Sequence, residues 1–163
     1  MATDAMHLRA AEPDELDHLA RLWHDAWHDA HDPIAPAGLV AARTVARFRE
    51  RLPALLADTR VAGPLGRPLG LCVIKDDRLD QLFVARAARG TSVAAALLAD
   101  GEARLARRGI ATAWLACAIG NDRAARFYEK HGWVNARTFA DQLDAGDAVY
   151  EVEVWRFEKR LMP

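Results

Sequence analysis

Residues 80–94 read Asp-Gln-Leu-Phe-Val-Ala-Arg-Ala-Ala-Arg-Gly-Thr-Ser-Val-Ala. A strand ends in this segment, a short loop follows, and small residues open a helix. The first turn of a helix presents unpaired N–H groups and the positive end of the helix dipole. That arrangement binds phosphate. Gly90, Ser92 and Ala94 are small enough for a diphosphate to reach the backbone, and Arg89 adds a fixed charge with paired donors. The same small residues also suit plain helix packing. A second segment, residues 121–133, reads Asn-Asp-Arg-Ala-Ala-Arg-Phe-Tyr-Glu-Lys-His-Gly-Trp. Ala124, Phe127, Tyr128 and His131 fall on one helical face. Tyr128 offers a phenolic proton. Phe127, by itself, reads as a ring that packs the helix onto a sheet.

The elements that carry these segments follow from periodicity and punctuation. A strand is expected over 6–10, closed by Pro13. A helix over 14–30 follows, because Leu16, Leu19, Ala20, Trp23, Trp27 and Ala30 recur at three and four. A second helix is expected over 37–51, with Pro53 disturbing its end. Short strands follow over 60–63, 69–75 and 79–85. Asp76-Asp77 turns the last two into an antiparallel hairpin. The helix opening at Gly90-Thr91-Ser92 runs to Arg108 and stops at Gly109. The apolar run 110–119 reads as a strand buried on both faces. Asn121 caps a helix over 122–131, and strands over 133–139 and 149–157 finish the chain. The order is β-α-α-β-β-β-α-β-α-β-β. A strand–helix–strand unit implies one parallel pair, and the hairpins imply antiparallel pairs elsewhere. The expected fold is α/β (α+β): a mixed, mostly antiparallel sheet of six or seven strands with helices on both faces.

Composition limits the classes of function. The chain has 163 residues, which suits a single domain over 1–163. Hydrophobic residues make up 52% and charged residues 28%, which is globular rather than disordered. A net charge of −1 gives no bulk attraction to nucleic acid or an anionic membrane. Cys72 and Cys117 lie in apolar strand-like runs and read as small hydrophobes, so a reducing, cytoplasmic setting is expected. The N-terminal residues carry no apolar signal segment, and no run is long enough to span a bilayer.

The two segments resemble the hallmark motifs of the GNAT N-acetyltransferases. The family's Arg/Gln-x-x-Gly-x-Gly/Ala loop is similar to Arg89-Gly90-Thr91-Ser92-Val93-Ala94, with Ser92 where the family usually has Gly. Its Asn-x-x-Ala-x-x-Phe-Tyr-x-x-x-Gly-Phe/Trp stretch is matched at Asn121, Ala124, Phe127, Tyr128, Gly132 and Trp133. The resemblance implies a sheet whose central parallel strands, carrying Val84 and Cys117, splay apart to admit acetyl-CoA. It implies that Leu82, Phe83 and Val84, on the bulged end of the fourth strand, bond the pantetheine arm through their backbone. Residues Arg89, Gly90, Thr91, Ser92, Val93 and Ala94 hold the pyrophosphate, and Asn121, Ala124 and Phe127 lie beside the coenzyme. The resemblance further implies that Tyr128 protonates the departing thiolate. The acceptor is a small-molecule amine or a peptide amine, with no metal, nucleic acid or membrane involved, and exposed sheet edges allow a homodimer.

The implied chemistry is direct attack of a neutral amine on a thioester, with the Val84 N–H as an oxyanion contact. A base must take the amine proton. Asp80 is the candidate, since it lies on the same side of a regular strand as Leu82 and Val84; Glu151 is a second. Both also read as solvated carboxylates. The acceptor pocket of the family is usually built by the first two helices and the final hairpin, which points to Trp27, His28, His31 and Tyr150; Trp23 reads as core. Three other readings stay open. His24 and His28 stand at i and i+4 like a zinc-hydrolase pair, but they also belong to the polar stripe of the first helix. Cys117 could be an acylated nucleophile. The domain could bind acyl-CoA as a sensor without transfer.

Overall fold

The computed structural model describes residues 7–161. Strand β1, Leu8–Ala10, lies at one edge of the sheet; Met6, expected to begin it, is outside the described residues. A single 3-10 turn, Pro13–Glu15, leads into helix α1, Leu16–His31. The turn is locked reciprocally, with the Glu12 N–H donating to the Glu15 carboxylate at 2.9 Å. Leu16, Leu19, Ala20, Trp23 and Trp27 are buried along one face of α1, as their spacing requires.

The expected helix 37–51 is two helices. Helix α2, Ala37–Ala42, ends where Arg43 leaves helical geometry, and α3, Val45–Leu55, restarts after Thr44. The Thr44 hydroxyl accepts the Arg47 N–H at 3.2 Å, which satisfies a first-turn donor and makes the break stable. Pro53 does not end α3, which runs two residues further. The Arg43 side chain donates to the Asp144 carbonyl at 2.8 Å and thereby fastens this break to the last hairpin.

Strands β2 (Thr59–Ala62), β3 (Gly70–Lys75) and β4 (Arg78–Val84) follow. Then come α4 (Val93–Arg107), β5 (Thr112–Ala118), α5 (Asp122–Lys130), β6 (Val134–Asp144) and β7 (Val149–Arg160). The strand order is β1-β2-β3-β4-β5-β7-β6, antiparallel throughout except for the parallel pair β4–β5. Helices cover both faces. On one face, Trp23, Phe48 and Leu52 from α1 and α3 pack on Val61, Leu71 and Val73. On the other, Leu97, Leu98 and Leu105 of α4 and Tyr128 of α5 pack on Cys72, Ile74, Leu115 and Phe157. Gly101 lets α4 approach the sheet, since a Cβ there would lie 2.9 Å from Leu79 and 3.0 Å from Cys72.

Two strand expectations change. In β5 only Ala113, Leu115 and Cys117 are buried, while Trp114, Ala116 and Ala118 are half-buried. On the second face Trp114 packs against Phe139, Arg78 and Arg156 rather than under a helix, so that face stays half-open. In β4 the register against β3 jumps, with Val73 opposite Gln81 and Ile74 opposite Leu79. Asp80 is therefore the extra residue of a β-bulge, which lies upstream of the expected position at Leu82–Val84. Simple alternation does not carry from Asp80 to Leu82. Among the described residues no helix is long and apolar enough to cross a membrane.

Candidate active site

Strands β4 and β5 pair only at Arg78 and Trp114. Beyond that point they diverge, and two cavities of about 650 and 540 Å³ occupy the opening. Leu82, Phe83, Asn121, Ala124 and Tyr128 line both cavities, so the two spaces meet there. The Ala85 N–H donates to the Leu69 carbonyl on the β3 side at 2.7 Å. Successive amides of a strand point in opposite directions, so Phe83 also turns toward β3. Leu82 and Val84 then direct their N–H and C=O groups into the opening, where no strand meets them.

The smaller cavity runs along the loop between β4 and α4. A 3-10 turn, Arg86–Ala88, is followed by Gly90 at φ +76, a conformation that suits glycine. The Thr91 hydroxyl bonds the Ala88 carbonyl, and the Val93 N–H reaches the Thr91 Oγ1 at 3.4 Å. Arg89, Gly90, Thr91, Ser92 and Ala94 line this cavity, while the Val93 side chain is buried in the core. Ser92 has φ −82, so the backbone there needs no glycine. The first-turn N–H groups of α4 face the loop, as anion binding requires.

One residue of this region was not expected. Asp29 of α1 accepts from Arg89 at 2.8 Å and from Arg86 at 3.0 Å. Burial would raise its carboxyl, but the Arg89 bond and the two guanidinium charges hold it below the ordinary aspartate range. No local signal marks Asp29, because its partners lie 57 and 60 residues away in sequence.

Helix α5 carries Asn121, Ala124 and Tyr128 to the junction. The Asn121 side chain caps α5 by accepting the Ala124 N–H at 3.4 Å. The Tyr128 ring packs against Phe127, Trp133 and Phe157. Burial pushes its phenol well above the ordinary tyrosine range, so it is protonated at neutral pH. Cys117 lies on the neighbouring strand, and burial pushes its thiol up to about 12. A thiol of that kind is a poor nucleophile. Cys117→Ala is expected to leave turnover within about twofold of wild type in a coenzyme-release assay, since no covalent step needs the sulfur.

The larger cavity opens toward α1 and α2. Trp27 and His31 line it; His28 and Tyr150 do not. His28 is used elsewhere: its Nδ1 bonds Asp32 at 2.5 Å and its Nε2 bonds the Arg43 carbonyl at 2.7 Å. Tyr150 packs over Gly38, where a Cβ would lie 2.0 Å from its hydroxyl oxygen. Asp80 lines the cavity, 3.4 Å from Arg78, which also approaches Asp141 at 3.9 Å. Glu151 accepts from Gln142 at 3.0 Å. Asp141 was not expected, because β6 runs to Asp144, beyond its expected end at Phe139. The His24 and His28 rings lie tilted against each other with centroids 4.3 Å apart, and His24 bonds Asp25. Among the described residues no group of three or more His, Cys, Asp or Glu is placed to hold a metal.

A sheet split between parallel strands, with a phosphate-type loop on one strand and a tyrosine-bearing helix on the other, matches a known family. The sequence model of the acetyltransferase (GNAT) family aligns with residues 12–133. The chain belongs to the GNAT acetyltransferase family. Solved structures share its fold. A GCN5-related N-acetyltransferase from Rhodopseudomonas palustris superposes with a TM-score of 0.75 at 21% identity, covering 94% of each chain. PaiA N-acetyltransferase from Thermoplasma acidophilum, in complex with coenzyme A, gives 0.71 at 16% identity, covering 94% of this chain and 98% of that one. YncA from Salmonella typhimurium, with its cofactor acetyl-CoA, gives 0.66 at 14% identity, covering 96% and 94%. No curated protein sequence matches the chain.

Proposed function

We propose that this GNAT domain, the whole of residues 1–163, transfers an acetyl group from acetyl-CoA to a primary amine by direct attack in a ternary complex. The observation that carries this reading is the meeting of two cavities at Tyr128. One cavity suits a coenzyme and the other an acceptor, and the two share the residues around Tyr128. Similar folds bind coenzyme A and acetyl-CoA, which supports the same co-substrate here.

The residues of this chain fit that co-substrate. Arg89 and the backbone of Gly90 to Ala94 hold the diphosphate at the start of α4. The gap-facing Leu82 N–H and the Leu82 and Val84 carbonyls bond the pantetheine arm as an added strand would. The Val84 N–H stabilises the oxyanion as the amine nitrogen bonds the thioester carbon. The carbon–sulfur bond then breaks, and the Tyr128 hydroxyl protonates the leaving sulfur. Trp27 and Phe83 give the acceptor an aromatic wall. Two buried free thiols suit a reducing, cytoplasmic setting.

Calorimetric titration with acetyl-CoA, followed by coenzyme release across a panel of amines, tests this reading. Wild type is expected to bind acetyl-CoA and turn it over. Gly90→Val forces a β-branched residue to φ +76 and is expected to weaken acetyl-CoA binding about tenfold, or roughly 1.4 kcal/mol. Absence of acetyl-CoA binding by wild type would falsify the assignment, and binding without turnover would point to a sensor.

A further inference from the structure

Direct attack leaves one proton without a destination, and the carboxylates expected to take it are engaged. Asp80 and Asp141 stand around Arg78, and Glu151 holds Gln142. His31, on the wall of the acceptor cavity, is different. Its Nδ1 lies 2.8 Å from the Trp27 carbonyl. A carbonyl oxygen only accepts, so Nδ1 carries the hydrogen. In the neutral ring Nε2 then bears a lone pair, and among the described residues nothing bonds it. The ring is held in place by stacking on Trp27, with centroids 4.7 Å apart, and by Phe83, 6.4 Å away. Phe83 lines both cavities, so His31 stands at the acceptor side of their junction. His28, one turn earlier, shows the contrast: both of its nitrogens are bonded.

We propose that His31 Nε2 is the general base that takes the proton from the attacking amine. This proposal rests on the acetyl-transfer reading and adds the missing half of its proton balance. The neutral amine forms its bond to the carbonyl carbon, and its N–H proton passes to His31 Nε2. Tyr128 gives its proton to the departing sulfur. His31 then releases a proton to water and Tyr128 regains one, leaving an amide and free coenzyme A.

The charged surroundings suit the role. Burial depresses the imidazole most, with His28 on α1 and Arg43 at the α2–α3 break acting in the same sense. The Trp27 bond and the Asp32 carboxylate oppose them, and β4 contributes only the Phe83 ring. The net direction is below the ordinary histidine value, so the ring is neutral at neutral pH.

Two measurements decide the matter. Long-range nitrogen–proton NMR of the imidazoles, assigned with His31→Asn, is expected to show the Nδ1–H neutral form of His31 at neutral pH. An Nε2–H form would overturn the proposal. Turnover of acetyl-CoA is then followed from about pH 5 to 9, with aniline, an aryl amine that stays neutral over that range, and with water as acceptors. Asn keeps a donor for the Trp27 carbonyl but has no base. The wild-type rate is expected to fall on the acid side as His31 protonates. His31→Asn is expected to lose about a hundredfold in turnover and to lose the acid limb, with acetyl-CoA affinity unchanged. An acid limb that survives in His31→Asn, beside intact coenzyme binding, overturns the base assignment alone. Failure of wild type to bind or turn over acetyl-CoA removes the transfer reading and this proposal together.

Discussion

Replacement of Tyr128 by Phe is expected to slow turnover about a thousandfold, within the ~10²–10⁴ range for a positioned general acid. Phe keeps the ring that packs against Phe127, Trp133 and Phe157, so the core of α5 stays filled. Only the hydroxyl is removed. Acetyl-CoA affinity is therefore expected to stay within about twofold, because an acid for the leaving group acts on the transition state rather than on the bound substrate. Coenzyme release and calorimetry on the same preparations separate the two effects. Since burial holds the Tyr128 phenol well above its ordinary range, its ionisation adds no alkaline limb below about pH 10. Equal turnover in wild type and Tyr128→Phe would remove this residue from the mechanism. A loss of affinity in step with turnover would recast it as a binding group.

Glu15→Gln is expected to destabilise the fold by about 3 kcal/mol at neutral pH. Glu15 is only 2% exposed. Its carboxylate accepts two bonds from Arg9, at 2.5 and 2.9 Å, and the N–H groups of Glu12 and Gly66, each at 2.9 Å. Burial alone would raise its pKa, yet these donors prevail and hold it at about 2. The ordinary value is 4.5, so the folded state prefers the ionised form. The resulting stabilisation is complete above the ordinary value and disappears as pH falls toward about 2. Denaturant melts across this window are expected to show wild type losing its advantage over Glu15→Gln as the solution is acidified. A gap that stays constant with pH would show that the carboxylate charge contributes nothing.

The parts of the site that were legible in the sequence are contiguous. The Arg89–Ala94 loop and the Asn121–Trp133 stretch each work through backbone and side chains a few residues apart, so local spacing describes them. The glycines that stop α4 and α5 were legible for the same reason: Gly109 and Gly132 both have positive φ. The break at Thr44 was hidden because apolar residues keep a helical rhythm through it, from Leu39 to Phe48 and Leu52. The bulge at Asp80 was hidden because register belongs to a pair of strands, and β4 alone does not reveal where β3 slips. His28 and His31 share a helix and a residue type. What separates them is the Arg43 carbonyl, which lies beyond the end of α1 and takes up the second nitrogen of His28.

The contact of Asp29 with Arg86 and Arg89 joins the last turns of α1 to the loop that precedes α4, across 57 and 60 residues of sequence. In the proposed reaction, one side of these turns steadies the loop that takes the coenzyme, and another presents Trp27 and His31 to the acceptor cavity. Helix α1 thus touches both the loop before α4, through Asp29, and the larger cavity, through Trp27 and His31.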